Sequence, residues 1–190
     1  LLLEAAYTRA RERLPQPTRT EAHALIAAAC EHLTSLGCSE VHDLLAHMCL
    51  ASDKAALALA DQDPGGEPDH LADGPVSGWA AVAAALDAAA TPDSEGGEHQ
   101  MPLAPVPLQV TGEFLLSAVV VDHLVHASDL AAATAQPFAI DDELAGWALT
   151  TVHQMAPVDG RTGHPFGPVV EVGDDAPLTA RLIGYTGRRP

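Results

Sequence analysis

The chain has 190 residues and 19.7 kDa, enough for one ordinary domain and awkward for two. Hydrophobic residues make up 47% and aromatics only 4%, so the core must rest on alanine and aliphatic side chains, a composition that favours close-packed helices over strands. A formal net charge of −17 excludes a nucleic-acid binder, which needs a basic footprint, and excludes an anionic membrane surface as the main partner.

Residues 1–14 read as a short helix stopped by Pro15-Gln16-Pro17. Thr18 and Thr20 offer N-caps for an apolar-periodic run from Ala22 to Leu36, and Gly37 is a natural residue just past its end. Ser39 can cap the next helix, about Glu40 to Ala60, whose Val41, Leu44, Leu45, Met48 and Ala51/Ala55 recur at 3–4 spacing. Asp61 to Pro75 is rich in proline, glycine and acid, and is expected as a surface loop. An alanine-rich helix follows from about Val76 to Ala90, with Trp79 as its bulky anchor, and Thr91 to Pro107 reads as a second long loop. Gln109 to Thr111 suits a brief extended piece. The strongest helix then runs from about Glu113 to Ala135 and is ended by Pro137. Asp141 and Asp142 open a helix to about His153, their charges favoured at the positive end of its dipole. The tail is rich in glycine and proline, with one expected strand or extended stretch at Pro168–Val172 and one short helix at about Ala176–Tyr185.

Helices joined by loops of unequal length, without alternating strands, predict an all-α fold: an antiparallel four-helix bundle with long crossover loops. The reading is of a single domain over 1–190, with 1–19 as an N-terminal helix or arm and 155–190 as a tail wrapped onto the bundle, because Val169, Val170, Leu178, Leu182 and Ile183 would otherwise be exposed. Cys30, Cys38 and Cys49 are odd in number and lack CxxC spacing, which fits a reduced cytoplasm. The opening LLLEAAYTRARERL does not read as a signal peptide, and no stretch approaches ~18 uninterrupted apolar residues.

Ten histidines are the unusual feature. The helix through Val119–His126 is apolar on nearly all sides, yet Asp122 and His126 sit in its middle at i and i+4, on one face. An unpartnered buried carboxylate costs several kcal/mol, roughly, and a cation between the pair removes that penalty. His47 interrupts a second apolar stripe and can complete the set from a facing helix, with Asp43 at i−4 as a further ligand or as an orienting partner. Three ligands, His47, Asp122 and His126, leave an open position, the arrangement of a catalytic rather than a structural metal. Two nitrogens and a carboxylate suit zinc first, and nickel, iron or manganese as well.

Plainer readings exist for each residue. An Asp/His pair at i,i+4 is often only a hydrogen bond or ion pair. His123 points about 100° away from Asp122 and suits packing or a pocket wall. Asp129, at i+3 from His126, either orients the imidazole or bonds backbone near the helix end. His23, His32 and His42 are expected to face solvent, His70 and His99 to be solvated in the acidic loops, and His153 and His164 to line the tail. Cys49 lies near His47 in sequence, but i,i+2 residues diverge on a helix and a buried cysteine is usually inert. No G-x-S-x-G, P-loop or G-x-G-x-x-G is present.

Cys38-Ser39-Glu40-Val41-His42-Asp43-Leu44-Leu45-Ala46-His47 resembles the PCSEW-x-V-x-DLLxHL segment of actinobacterial DinB-like metal-binding proteins, in the mycothiol-dependent maleylpyruvate isomerase superfamily. Asp122-His123-Leu124-Val125-His126-Ala127-Ser128-Asp129-Leu130-Ala131 resembles that family's D-L-L-V-H-x-W-D-L-A helix, and Phe166–Val172 with Asp174-Asp175-Ala176-Pro177 and Gly187-Arg188-Arg189-Pro190 resembles its ending. The resemblance implies a four-helix DinB-type bundle, a divalent metal on His47, Asp122 and His126, and use of the thiol mycothiol in isomerase or S-transfer chemistry. Ser128 stands where the family has an aromatic, and the tryptophan after Cys38-Ser39-Glu40 is missing.

The leading expectation is therefore a metal-dependent enzyme that carries out thiol (mycothiol)-dependent S-transfer or isomerisation on a small molecule, with His123 or Asp129 moving a proton if either faces the pocket. The altered residues near Ser128 motivate an alternative, a thiol-independent cyclase or hydrolase of a natural-product pathway. A non-catalytic metal- or ligand-binding protein is the third reading. A homodimer is compatible with a small alanine-rich bundle.

Overall fold

The computed structural model describes residues 39–63, 65–102, 108–158 and 166–190. The expected helices at 1–14 and 22–36, together with Cys30, Cys38, His23, His32 and His164, lie outside the described residues. The chain is mostly helical, with six helices and one two-stranded sheet among the described residues. These fall into two compact units, one ending at Gln136 and the other running from Pro137 to Pro190.

In the first unit, α1 (Ser39–Leu59) packs against both α2 (Pro75–Ala89) and α4 (Gly112–Ala133). The side of α1 carrying Val41, Leu45, Met48, Ser52, Ala55 and Ala56 is buried, the 3–4 spacing read in the sequence. α2 begins at Pro75, whose fixed φ suits a first helical position, and it anchors through Trp79, 2% exposed. α4 is capped by Thr111, whose hydroxyl accepts from Phe114 N–H at 3.2 Å. It is long and apolar enough by composition to cross a membrane, but 67% of its apolar window is buried inside the protein.

One expectation is corrected between α2 and α4. Residues 91–107 were expected as loop, yet α3 (Pro92–Gly96) and β1 (Glu98–Gln100) form within them. Thr91 and Ser94 make a reciprocal capping box, and Pro92 presets the first turn, which is enough local chemistry for a short helix. β1 pairs antiparallel with β2 (Gln109–Thr111), with His99 opposite Val110. Residues 61–63 and 65–74 of the acidic stretch form no helix or strand, as its prolines and glycines predict.

Gly78 shows how closely α2 meets that stretch. A Cβ there would run into the backbone carbonyl of His70. Gly78→Ala should therefore destabilise the protein by ~2 kcal/mol, read as a lower denaturation midpoint, because a backbone oxygen has no rotamer in which to give way.

In the second unit α5 (Asp142–Met155) packs on α6 (Leu178–Tyr185). Asp141 caps α5 by accepting from Leu144 N–H at 2.9 Å, and Asp142 and Glu143 occupy the first turn, as expected. Tyr185 donates to Ala156 O at 2.9 Å and its ring lies 4.0 Å from that of His153. The strand expected at Pro168–Val172 does not form. Val170 N–H instead donates to Gly184 O at 2.9 Å, at the end of α6, so the segment meets a helix end rather than a strand edge.

Candidate metal centre

The centre lies between α1 and α4. Asp122 and His126 are one turn apart on α4, so the helix alone sets their spacing, with His126 Nε2 3.3 Å from Asp122 Oδ1. α1 brings His47 to the same oxygen, Nε2 to Oδ1 3.7 Å. The His47 and His126 rings meet edge to face, 5.2 Å between centroids. The three donor atoms all lie within 4.8 Å of one another, a grouping that can hold a metal ion. The remaining Asp122 oxygen, Oδ2, is buried and accepts no hydrogen bond. A buried, unsatisfied carboxylate oxygen is costly, and a coordinating cation is one way to satisfy it. The residues present therefore fit a divalent ion.

Exposure is graded across the group. The side chain of His126 is 17% exposed, Asp122 31% and His47 45%. His47 is thus the most solvent-exposed of the three and does not lie in a fully apolar stripe.

The electrostatics are dominated by two carboxylates on one imidazole. Burial works against a charged His126, but its hydrogen bonds to Asp122 and Asp129, with their charges, outweigh it and raise the pKa to about 9. Burial likewise opposes ionised Asp122, yet the hydrogen bonds from His126 and His47 hold its carboxyl well below the usual range.

Asp129 lies 3.0 Å from His126 Nδ1, accepting that N–H. This is the arrangement by which a carboxylate fixes the tautomer of a ligating histidine and leaves Nε2 for the metal. The geometry thus gives Asp129 an orienting task. Asp129→Ala is expected to weaken zinc binding by about 10–100-fold in a chelator competition, with Asp129→Asn, which keeps an acceptor oxygen, at the low end.

Other sequence-selected residues fall elsewhere. His123 is not in the group: its Nε2 is 2.9 Å from Ser52 Oγ and its ring meets Trp79 edge to face at 5.0 Å. Asp43, 83% exposed, lies 3.9 Å from exposed His42 and takes no part. Cys49 is fully buried, as a small core residue would be. Two histidines expected in solvent are enclosed. His99 is 5% exposed, between Ser94 O at 2.7 Å and Asp61 at 3.3 Å, and His70 Nε2 lies 3.4 Å from Asp53. Neither neighbourhood is revealed by sequence spacing alone.

Ser52 is the contributor that sequence reasoning missed. The available signal was a polar residue at a position of the buried stripe, four residues beyond Met48.

What the coordinates define is a helical protein with two histidines and an aspartate converging between two helices. No model of a known protein family matches the chain, and no solved structure matches it. Two proteins of Mycobacterium tuberculosis do, Uncharacterized protein MT0763 and Uncharacterized protein Rv0738. Each is 30% identical over 155 residues, covering 80% of this chain and 81% of the relative. The chain belongs to the family of these mycobacterial proteins.

Proposed function

We propose that this chain is a divalent-metal enzyme on a DinB-like four-helix bundle, working in the cytoplasm on a small molecule with a thiol such as mycothiol as co-substrate. The observation that carries the reading is the convergence of His47, Asp122 and His126 donor atoms within 4.8 Å, on an aspartate whose second oxygen, Oδ2, is buried without a hydrogen bond. Zinc is the first choice for two imidazoles and a carboxylate, with nickel, iron and manganese behind it. An ion held there supplies Lewis-acid chemistry, keeping a thiol as thiolate or polarising a carbonyl.

The protein's own residues have separable tasks. His47, Asp122 and His126 bind the ion, and Asp129 holds the His126 proton at Nδ1 so that Nε2 stays available. The partly exposed side of His47 admits the substrate. Sulfur transfer or isomerisation is the reaction class that the resemblance in the 38–47 and 122–131 segments favours.

The test is elemental analysis of purified protein, followed by turnover assays with and without mycothiol, before and after chelation. One zinc per chain and activity lost on chelation support the reading. Turnover that survives complete metal removal overturns it, and metal-dependent turnover without thiol moves the assignment to the thiol-independent pathway enzyme.

A further inference from the structure

We propose that the part-buried Ser52–His123 hydrogen bond is a register lock between α1 and α4, which positions His47 over Asp122 and His126. The inference rests on the metal reading for its purpose, and on independent geometry for its existence.

Asp122 and His126 share one helix, so their separation survives any movement of α4 as a whole. His47 belongs to α1, and its 3.7 Å approach to Asp122 depends on how far α1 has slid along α4. One residue of slippage is about 1.5 Å, large against metal–ligand distances of about 2.0–2.2 Å. The surrounding contacts are poorly suited to prevent it. Leu45, Met48 and Cys49 on α1 and Val121, Leu124 and Val125 on α4 are all buried, and apolar burial is non-directional. A hydrogen bond is directional and is satisfied in one register only.

The bond also has a defined polarity. Ser52 is fully buried and donates its single hydroxyl proton to Met48 O at 2.8 Å. Its oxygen can then only accept at the second contact, so His123 Nε2–H is the donor, at 2.9 Å. Trp79 on α2 holds the His123 ring edge to face, which ties a third helix to the same joint. His123 thereby acts on the centre through helix position, as a positioning residue.

The asymmetry of the bond supplies the test. Removing His123 leaves the Ser52 proton satisfied by Met48 O, so His123→Leu should keep the fold, with a melting temperature lowered by a few degrees at most for the lost Trp79 ring contact. It should nevertheless weaken zinc binding by about tenfold, in the range for groups that hold ligands in place. His123→Gln, which retains an N–H donor at similar reach, should bind zinc close to wild type. Nuclear Overhauser contacts between the His47 and His126 ring protons of the metal-free protein should be present in wild type and in His123→Gln, and lost in His123→Leu. Ser52→Ala provides the second probe and should lose the same ring contacts.

Unchanged ring contacts in both His123→Leu and Ser52→Ala overturn the lock, as does a zinc affinity in His123→Gln as weak as in His123→Leu. Wild-type protein that binds no zinc defeats the proposed function instead, while the metal-free ring contacts still decide the lock.

Discussion

Asp122→Asn is expected to reduce zinc affinity by about 1,000-fold. Apparent binding energies of protein zinc sites run to about 10–16 kcal/mol, and this change removes the single anionic member of a three-ligand set. A third of that energy corresponds to roughly three orders of magnitude. Asparagine keeps the size and helical placement of the side chain, so the loss reports on the carboxylate rather than on a cavity. Its cost is concentrated because Asp122 Oδ1 faces both imidazoles and Oδ2 has no other partner. Isothermal titration of metal-stripped protein, with chelator competition for the tight wild type, measures the ratio. Equal zinc affinity in wild type and Asp122→Asn would mean that the ion, if bound, sits elsewhere.

Much of this centre was legible because its geometry is local. Asp122, His126 and Asp129 lie on one helix, and spacings of four and three residues fix their common face before anything is known of the fold. His47 was legible by its company, a polar residue amid the apolar repeat of α1, although only the structure shows that its side chain is 45% exposed. The elements followed the same division. α4 and α5 begin beside the Thr111 and Asp141 caps, whereas β1 needs a partner outside its own three residues. Non-local pairing is what hid the rest. Ser52 and His123 are 71 residues apart, and His99 is buried with its Nε2 at Ser94 O and its Nδ1 3.3 Å from Asp61, contacts that no periodicity announces. The α3 capping box is the exception, since Thr91-Pro92-Asp93-Ser94 is local chemistry that the loop-like composition of its neighbours masked.

The stability of the metal-free and zinc-loaded proteins should diverge with rising pH. In the metal-free protein His126 is a charged ring between Asp122 and Asp129, with its pKa raised to about 9 from an ordinary 6.5. A raised pKa contributes stability that is complete below the unfolded value and is lost as pH climbs through the folded one. The metal-free melting temperature should therefore fall between about pH 6.5 and 9, by up to about 1.4 kcal/mol of stability per pH unit. Asp122 acts at the other end. Its lowered pKa gives stability present above its ordinary 3.8 and lost as pH falls below it, leaving a metal-free plateau between about pH 4 and 6.5. Zinc replaces the proton on His126 Nε2, so it must displace that proton on binding near neutrality. Its affinity should then rise about tenfold per pH unit until about pH 9. Melting curves in chelator and in excess zinc should separate progressively above pH 6.5, and titrations in buffers of different ionisation enthalpy should count about one released proton at pH 7.5. Parallel curves across that range would show that zinc does not compete for the His126 nitrogen, and the centre would then be an acid–base network of protein groups alone.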